Sequence, residues 1–330
     1  MTMEKPLLEV KNLTTKFKTE KGIVTAVDDV SFSVQRGEIL GIVGESGCGK
    51  SVTSQSILRL IGQKKHEEIS GEVNFEGENL LELSEAEMRR IRGNKIAYIA
   101  QDPMTSLNPV YTVGNQIAEV PYIHEKVNKK KAWNIAVKML EKVGIPSPEA
   151  RAKDYPHQFS GGMRQRGVIA MALAGNPSLL IADEPTTALD VTIQAQVLQL
   201  IKDLREETNA GIMFITHDLG VVAEICDRVA VMYAGKIVEM ATVKQLFNDP
   251  QHPYTRGLLA SIPKLGEKER LVPIEGQPPN LYDIPTGCSF RDRCPLAMDA
   301  CAQEKPHLRH VEEQHQAACI FVENKVESNV

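Results

Sequence analysis

The residues Gly44-Glu45-Ser46-Gly47-Cys48-Gly49-Lys50-Ser51 fit the spacing G-x-x-x-x-G-K-[ST] and follow an apolar run, Ile39-Leu40-Gly41-Ile42-Val43. Glycines at these positions let the backbone turn tightly, so that several N–H groups point inward at phosphate oxygens. Lys50 adds positive charge near the β and γ phosphates, and the Ser51 hydroxyl can ligate Mg²⁺. A helix starting here contributes the positive end of its dipole. The chemistry open to these residues is to hold a nucleoside triphosphate. Leu179-Leu180-Ile181-Ala182 reads as a strand that delivers Asp183 and Glu184 to its end. Asp183 can hold Mg²⁺ directly or through water. Glu184 can polarise the water that attacks the γ-phosphate, a role that contributes roughly 10²–10⁴-fold to a rate. Ser160-Gly161-Gly162 opens an apolar helix and forms a second anion cradle from backbone N–H groups and a hydroxyl. One nucleotide needs one cradle, so the spare one predicts that a partner's ATP sits against it.

The elements that must position these groups follow from periodicity. Short strands with turns are expected from Leu7 to Val10, Val24 to Phe32 and Val73 to Phe75, the last before the turn Glu76-Gly77-Glu78-Asn79. From about Glu85 to Gly175 the pattern is mostly helical, interrupted around Pro103 and Pro109. Strands return from Leu179 to Ala182 and from Ile212 to Ile215. Between them Ile193, Val197, Leu200, Ile201 and Leu204 share one helix face. Strand, helix, strand implies a right-handed parallel crossover. A hairpin is expected next, with arms Val229 to Tyr233 and Ile237 to Glu239. The basic residues Lys126, Lys129, Lys130 and Lys131 open an amphipathic helix whose other face carries Trp133, Ala136, Val137, Leu140 and Val143.

At 330 residues the chain suits one large domain with an appendage. Its apolar fraction of 42% supports a packed core, and its net charge of −5 gives no general pull toward nucleic acid or anionic lipid. No stretch reaches the roughly 18 consecutive apolar residues of a membrane span. Met1 to Val10 lacks a signal-peptide apolar region, so a cytosolic protein with at most a peripheral membrane role is expected. Cys48 lies in the phosphate loop and Cys226 in an expected helix, whereas Cys288, Cys294, Cys301 and Cys319 crowd together near the C-terminus. In a reducing cytosol such a cluster reads as metal binding before disulfides. Composition turns rich in Pro and Cys after about Asn248, which suggests a boundary near 245–250.

In this order and company the residues resemble the ATP-binding cassette (ABC) ATPases over roughly residues 5–250. The family signature Leu-Ser-Gly-Gly-Gln is matched at Ser160, Gly161 and Gly162, while Phe159 and Met163 depart from it. The resemblance implies that Gln101, in Tyr98-Ile99-Ala100-Gln101-Asp102-Pro103, is the Q-loop glutamine that touches Mg²⁺ and the membrane partner. It makes Ala188-Leu189-Asp190 the D-loop and His217 the switch histidine on the γ-phosphate. Phe17 becomes the aromatic that stacks on adenine, with Val24 a second candidate. The implied catalytic set is Glu184, His217 and Gln101. The implied nucleotide contacts are Phe17, Gly44, Ser46, Gly47, Cys48, Gly49, Lys50, Ser51, Val52, Gln101 and Asp183, with Ser160, Gly161, Gly162 and Asp190. Ser51, Gln101 and Asp183 are the implied Mg²⁺ ligands. The fold class expected is an α/β P-loop NTPase core of the ABC type, with an antiparallel β subdomain and a helical subdomain at about 86–175. The ATPase domain is expected over 1–248, a cysteine-containing extension over 249–323 and a disordered tail over 324–330.

The segment Gln251-His252-Pro253-Tyr254-Thr255-Arg256-Gly257-Leu258-Leu259 is similar to the extension of dipeptide and oligopeptide importer ATPases, a subfamily that also serves nickel and other solutes. Spacing alone, C-x₅-C-x₆-C-x₁₇-C, gives a four-thiolate metal site without the C-x₂-C pairs of zinc or ferredoxin sites. The resemblance selects a [4Fe–4S] cluster on Cys288, Cys294, Cys301 and Cys319, zinc or free thiols being the alternatives. The implied assembly has two cassettes head to tail, the second a different chain, with two transmembrane permease subunits and an extracytoplasmic solute-binding protein. This chain would then lie on the cytoplasmic face of the membrane. A soluble ABC ATPase acting on nucleic acid or ribosomes is the rival class. A single cassette, the negative charge and the absence of a long coiled-coil insertion argue against it. Intact Glu184 argues against a binding module without turnover.

Overall fold

The computed structural model describes residues 5–62, 64–187, 189–262 and 273–322. The tail expected over 324–330 and Ala188 of the expected D-loop lie outside the described residues. Two compact units alternate along the chain. One comprises Met1–Leu7, Val34–Glu38 and Glu82–Ile215, the other Leu8–Ser33, Ile39–Leu81 and Thr216–Val330.

In the first unit the strands Ile96–Ile99, Leu179–Asp183 and Gly211–Thr216 run parallel, with Tyr98 opposite Ile181 and Ile181 opposite Met213. Every residue of the middle strand is buried, as an unbroken apolar run requires in a sheet covered on both faces. The crossover helix Val191–Thr208 buries Val197, Leu198, Ile201 and Leu204. Asp190 caps it by accepting from Ile193 N–H at 3.0 Å, and Asn209 ends it in the left-handed region. Strand Ile96–Ile99 interrupts a region whose pattern is mostly helical. Its four residues are too few to show a period, and pairing with Leu179–Asp183 decides their conformation. Helices Val113–His124, Lys129–Lys142 and Gly161–Leu173 follow. The second buries Ala132, Ala136 and Leu140 and leaves its opening lysines exposed.

The second unit holds an antiparallel sheet in the order Gly22–Val34, Leu8–Thr19, Glu67–Phe75, Glu78–Asn79. Separately, Ile39–Val43 pairs in parallel with Arg228–Tyr233, Ile42 opposite Ala230, and Lys236–Thr242 pairs antiparallel on the far side. The turn between the last two uses Ala234 and Gly235, both at positive φ, the twist a two-residue hairpin needs. The C-terminal extension joins this sheet. Its strand His315–Ala317 lies against Lys236–Thr242, with Ala317 opposite Glu239, and Arg309–Glu312 pairs outside it. The edge of Lys236–Thr242 is thus covered rather than left open to another chain. Residues on both sides of position 248 share one apolar core, which includes Val43, Val231, Tyr233, Leu246, Tyr254 and Phe290.

Candidate active site

The fully buried strand Ile39–Val43 leads into the glycine-rich loop, and helix Lys50–Ile57 begins directly after Gly49. Gly44 and Gly49 adopt φ of +153° and +106°. A Cβ would stand 2.2 Å from the Met232 carbonyl at the first and 2.5 Å from the Ala26 carbonyl at the second. Only glycine fits these approaches. Lys50 is buried, and its Nζ donates to the carbonyls of Gly44 at 2.7 Å and Glu45 at 3.0 Å. The ammonium is therefore held over the loop by two backbone dipoles that a phosphate would replace. Ser46 and Gly47 are exposed, Ser51 and Val52 half-buried. Burial pushes the Cys48 thiol up, which leaves it neutral and inert inside the loop. The hydroxyls of Thr15 and Ser56 share a hydrogen bond of 2.8 Å, which ties the strand Leu8–Thr19 to the loop's helix. Phe17, two residues on and so on the same strand face, is half-buried, and Val24 is buried. His217 follows strand Gly211–Thr216 and is exposed. Asp218 beside it caps helix Leu219–Ile225 through Gly220 N–H at 2.8 Å.

The first unit brings Gln101, Asp183 and Glu184 together. Asp183 is 1% exposed, and its carboxylate accepts from the Tyr98 hydroxyl at 3.0 Å. Glu184 sits at φ 48°, a left-handed conformation that costs a non-glycine residue about 1 kcal/mol or more. The strain is held by Glu184 N–H donating to Ile215 O at 2.9 Å. Its Oε2 accepts from Gln101 Nε2 at 2.9 Å and from Thr187 Oγ1 at 3.0 Å. Helix Gly161–Leu173 is capped by Ser160, whose hydroxyl accepts from Met163 N–H at 3.3 Å. A Cβ on Gly161 would meet nothing within 4 Å, so the first turn is open to a ligand. Four residues beyond the cap-bonded turn begins, Gln165 Nε2 donates to Pro185 O at 2.6 Å and couples this helix to the segment just past Glu184. Sequence reasoning missed Tyr98, Thr187 and Gln165, because side chains that orient others carry no spacing signal.

Cys288, Cys294, Cys301 and Cys319 are free thiols that line one cavity beside His252 and Phe290. Burial first, and then neighbouring cysteine charge, pushes Cys288, Cys294 and Cys319 above the ordinary thiol range. Such thiols stay protonated unless a cation stabilises the thiolate, which fits a soft metal donor set in chemistry. Among the described residues, however, no three His, Cys, Asp or Glu side chains meet in an arrangement able to hold a metal ion.

Residues 27–187 match the ABC transporter family, and residues 238–301 match the oligopeptide/dipeptide transporter C-terminal region. The chain is 57% identical over 312 residues to the oligopeptide transport ATP-binding protein OppD of Bacillus subtilis, covering 94% of this chain and 87% of that protein. It is 52% identical over 329 residues to the dipeptide transport ATP-binding protein DppD of the same organism, covering 99% and 98%. Among solved structures it resembles a dimeric, post-hydrolysis ATP-binding cassette bound to ADP and Pi, with a TM-score of 0.65 and 28% identity over 72% of this chain and 98% of that one.

Proposed function

The chain belongs to the ABC transporter ATPases, among those carrying the oligopeptide/dipeptide transporter C-terminal region, and from that premise we propose that it is the ATP-hydrolysing subunit of an importer for dipeptides or oligopeptides. Mg-ATP binds at a cassette dimer interface, between the glycine-rich loop of one copy and Ser160-Gly161-Gly162 of the other. The observation that carries the reading is the Glu184 carboxylate, at the end of a buried strand beside Asp183 and held by Gln101 and Thr187. On nucleotide binding Lys50 exchanges the carbonyls of Gly44 and Glu45 for the terminal phosphates. Asp183, Ser51 and Gln101 would hold Mg²⁺, which would offset the phosphate charge; Glu184 takes the proton of the attacking water, and His217 contacts the γ-phosphate. Phe17 stacks on adenine, and Asp190 meets the partner cassette. Glu184→Gln keeps the shape and removes the base, so ATP binding persists while hydrolysis falls by roughly 10²–10⁴-fold. Turnover at the parent rate in that variant removes Glu184 from the role.

Among the described residues no helix is long and apolar enough to cross a membrane. Partner permeases carry the solute in this reading, which the peptide-transporter relatives support. An exposed groove lined by Tyr111, Asn115, Ala118, Tyr122, Lys129 and Trp133, with Val110 and Ile123 exposed close by in sequence, supports docking of an apolar permease segment. The full assembly comprises two permeases, a second and different cassette, and an extracytoplasmic solute-binding protein, with this chain on the cytoplasmic face. Cys288, Cys294, Cys301 and Cys319 are the residues that would hold a [4Fe–4S] cluster, which would cross-link the extension. The four-thiol cavity supports this reading. Anaerobically purified protein should contain about four irons per chain and absorb broadly in the visible, in line with four-thiolate cubane clusters. One zinc and no colour would replace the cluster with a zinc site and leave the ATPase intact.

A further inference from the structure

Glu45, the second residue of the glycine-rich loop, has its N–H, carbonyl and carboxylate all engaged, and the C-terminal extension supplies the partners of two of these three groups. Its N–H donates to the Tyr254 hydroxyl at 2.9 Å. Its carbonyl accepts from Lys50 Nζ at 3.0 Å and from Cys48 N–H at 3.3 Å. Its carboxylate takes a two-pronged bond from the Arg293 guanidinium, at 2.6 Å and 3.0 Å.

The two anchors are themselves fixed. Arg293 has a side chain only 5% exposed, lies over the rings of Tyr233 and Phe290, and donates from Nε to Glu275 O at 3.0 Å. Tyr254 is fully buried, with its ring 4.6 Å from that of Tyr233 and 5.4 Å from that of Phe290. Its own N–H donates to His252 Nδ1 at 3.1 Å. The backbone of His252 is bonded in turn to the buried carboxylate of Glu239 at 2.9 Å. A continuous chain of bonds thus runs from the sheet, through the extension, to the loop.

We propose that Tyr254 and Arg293 are positioning residues for ATP: the extension fixes the backbone direction of Glu45 and cancels the charge of its carboxylate, so that the loop presents a formed and electrically favourable cradle to the triphosphate. The proposal rests on the reading of this loop as an ATP site. Two physical effects are separable in it. The Tyr254 hydroxyl draws the Glu45 N–H to one side and so sets the entry of the loop. Arg293 offsets an anion that would otherwise repel the phosphates at short range.

The test is Mg-ATP affinity, read by displacement of N-methylanthraniloyl-ATP from the purified full-length chain, with thermal midpoints recorded alongside. Arg293→Gln leaves the Glu45 charge uncancelled, and its Kd rises about tenfold, the scale of one charge-assisted pair. Tyr254→Phe keeps the ring packing, and its Kd rises about fivefold, the scale of one hydrogen bond. In Glu45→Gln/Arg293→Gln both partners are neutral amides, and affinity returns to within about threefold of the parent, a recovery that loss of structure would not give. Parent-like affinity in both single variants overturns the proposal and leaves the ATPase reading standing. A double variant as weak as Arg293→Gln overturns the charge effect. A parent that binds no nucleotide removes the ATPase reading, and the proposal with it.

Discussion

The glycine-rich loop and the Gln101–Asp183–Glu184 corner are both assigned to one reaction, yet they are held in opposite ways. The loop is buried around Cys48, Gly49 and Lys50, is closed against the carbonyls of Met232 and Ala26, and is anchored at Glu45 by residues more than two hundred positions away. The Glu184 carboxylate accepts side-chain bonds from an exposed glutamine and an exposed threonine. A cradle for a triphosphate has to be formed before the ligand arrives, because every amide that must turn on binding costs affinity. A general base, the role proposed for Glu184, has to accept a bond from the water it activates, and bonds from exposed side chains can be exchanged for one. Rigidity and looseness are therefore distributed by task.

Breaking the rigid side should have the larger effect. Gly49→Ala puts a Cβ at 2.5 Å from the Ala26 carbonyl in a conformation of φ +106°, so the loop must move. Strain of this kind, with the added overlap, costs about 3 kcal/mol. ATP binding should be lost, as read by nucleotide displacement, while the thermal midpoint falls. Retained affinity would mean that the loop tolerates rearrangement and that the contrast is false.

Acid should loosen the same side through His252. Burial lowers its pKa to about 4, with the Glu239 carboxylate opposing that shift and the Arg256 charge adding to it. The unfolded residue titrates near 6.5. Between those values the unfolded chain takes up a proton that the folded chain refuses. The stability owed to neutral His252 is thus full above pH 6.5 and is lost as pH falls toward 4. The loss amounts to about 3 kcal/mol. Chemical denaturation at stepped pH reads this slope, and His252→Asn, which keeps an acceptor for Tyr254 N–H, should flatten it. An equally steep slope in that variant would assign the acid sensitivity to other groups.

On the loose side effects should be small. Tyr98→Phe removes the hydroxyl that Asp183 accepts at 3.0 Å, at a cost of about 1 kcal/mol. The expected outcome is a few-fold rise in the Mg²⁺ concentration needed for half-maximal hydrolysis. A hundredfold change would show that this corner is as tightly built as the loop.

What could be read before folding was what the chain encodes locally. The phosphate-loop spacing, the buried strand before it, the apolar run ending in Asp183 and Glu184, and the hairpin turn expected at Ala234-Gly235-Lys236 each depend on residues close in sequence. Their conformations follow from steric permission and periodicity. The Pro- and Cys-rich composition after Asn248 pointed to a separate appendage. Nothing in it revealed that His315–Ala317 would cover an open strand edge, or that Tyr254 and Phe290 would enter the core around Tyr233. Strand Ile96–Ile99 was hidden for a related reason, since pairing rather than pattern makes it a strand.

The sequence by itself determined which chemistry this protein carries, because phosphate cradles and acidic strand ends are short-range devices. The tertiary structure decided what holds them. Arg293 meets Glu45 across 248 residues, and Glu184 bonds Ile215 at a strand end, Thr187 in a turn and Gln101 in a distant loop. Such partners are chosen by where the folded backbone brings a polar group that burial has deprived of water. No residue's type or spacing records that requirement until the chain has closed around it.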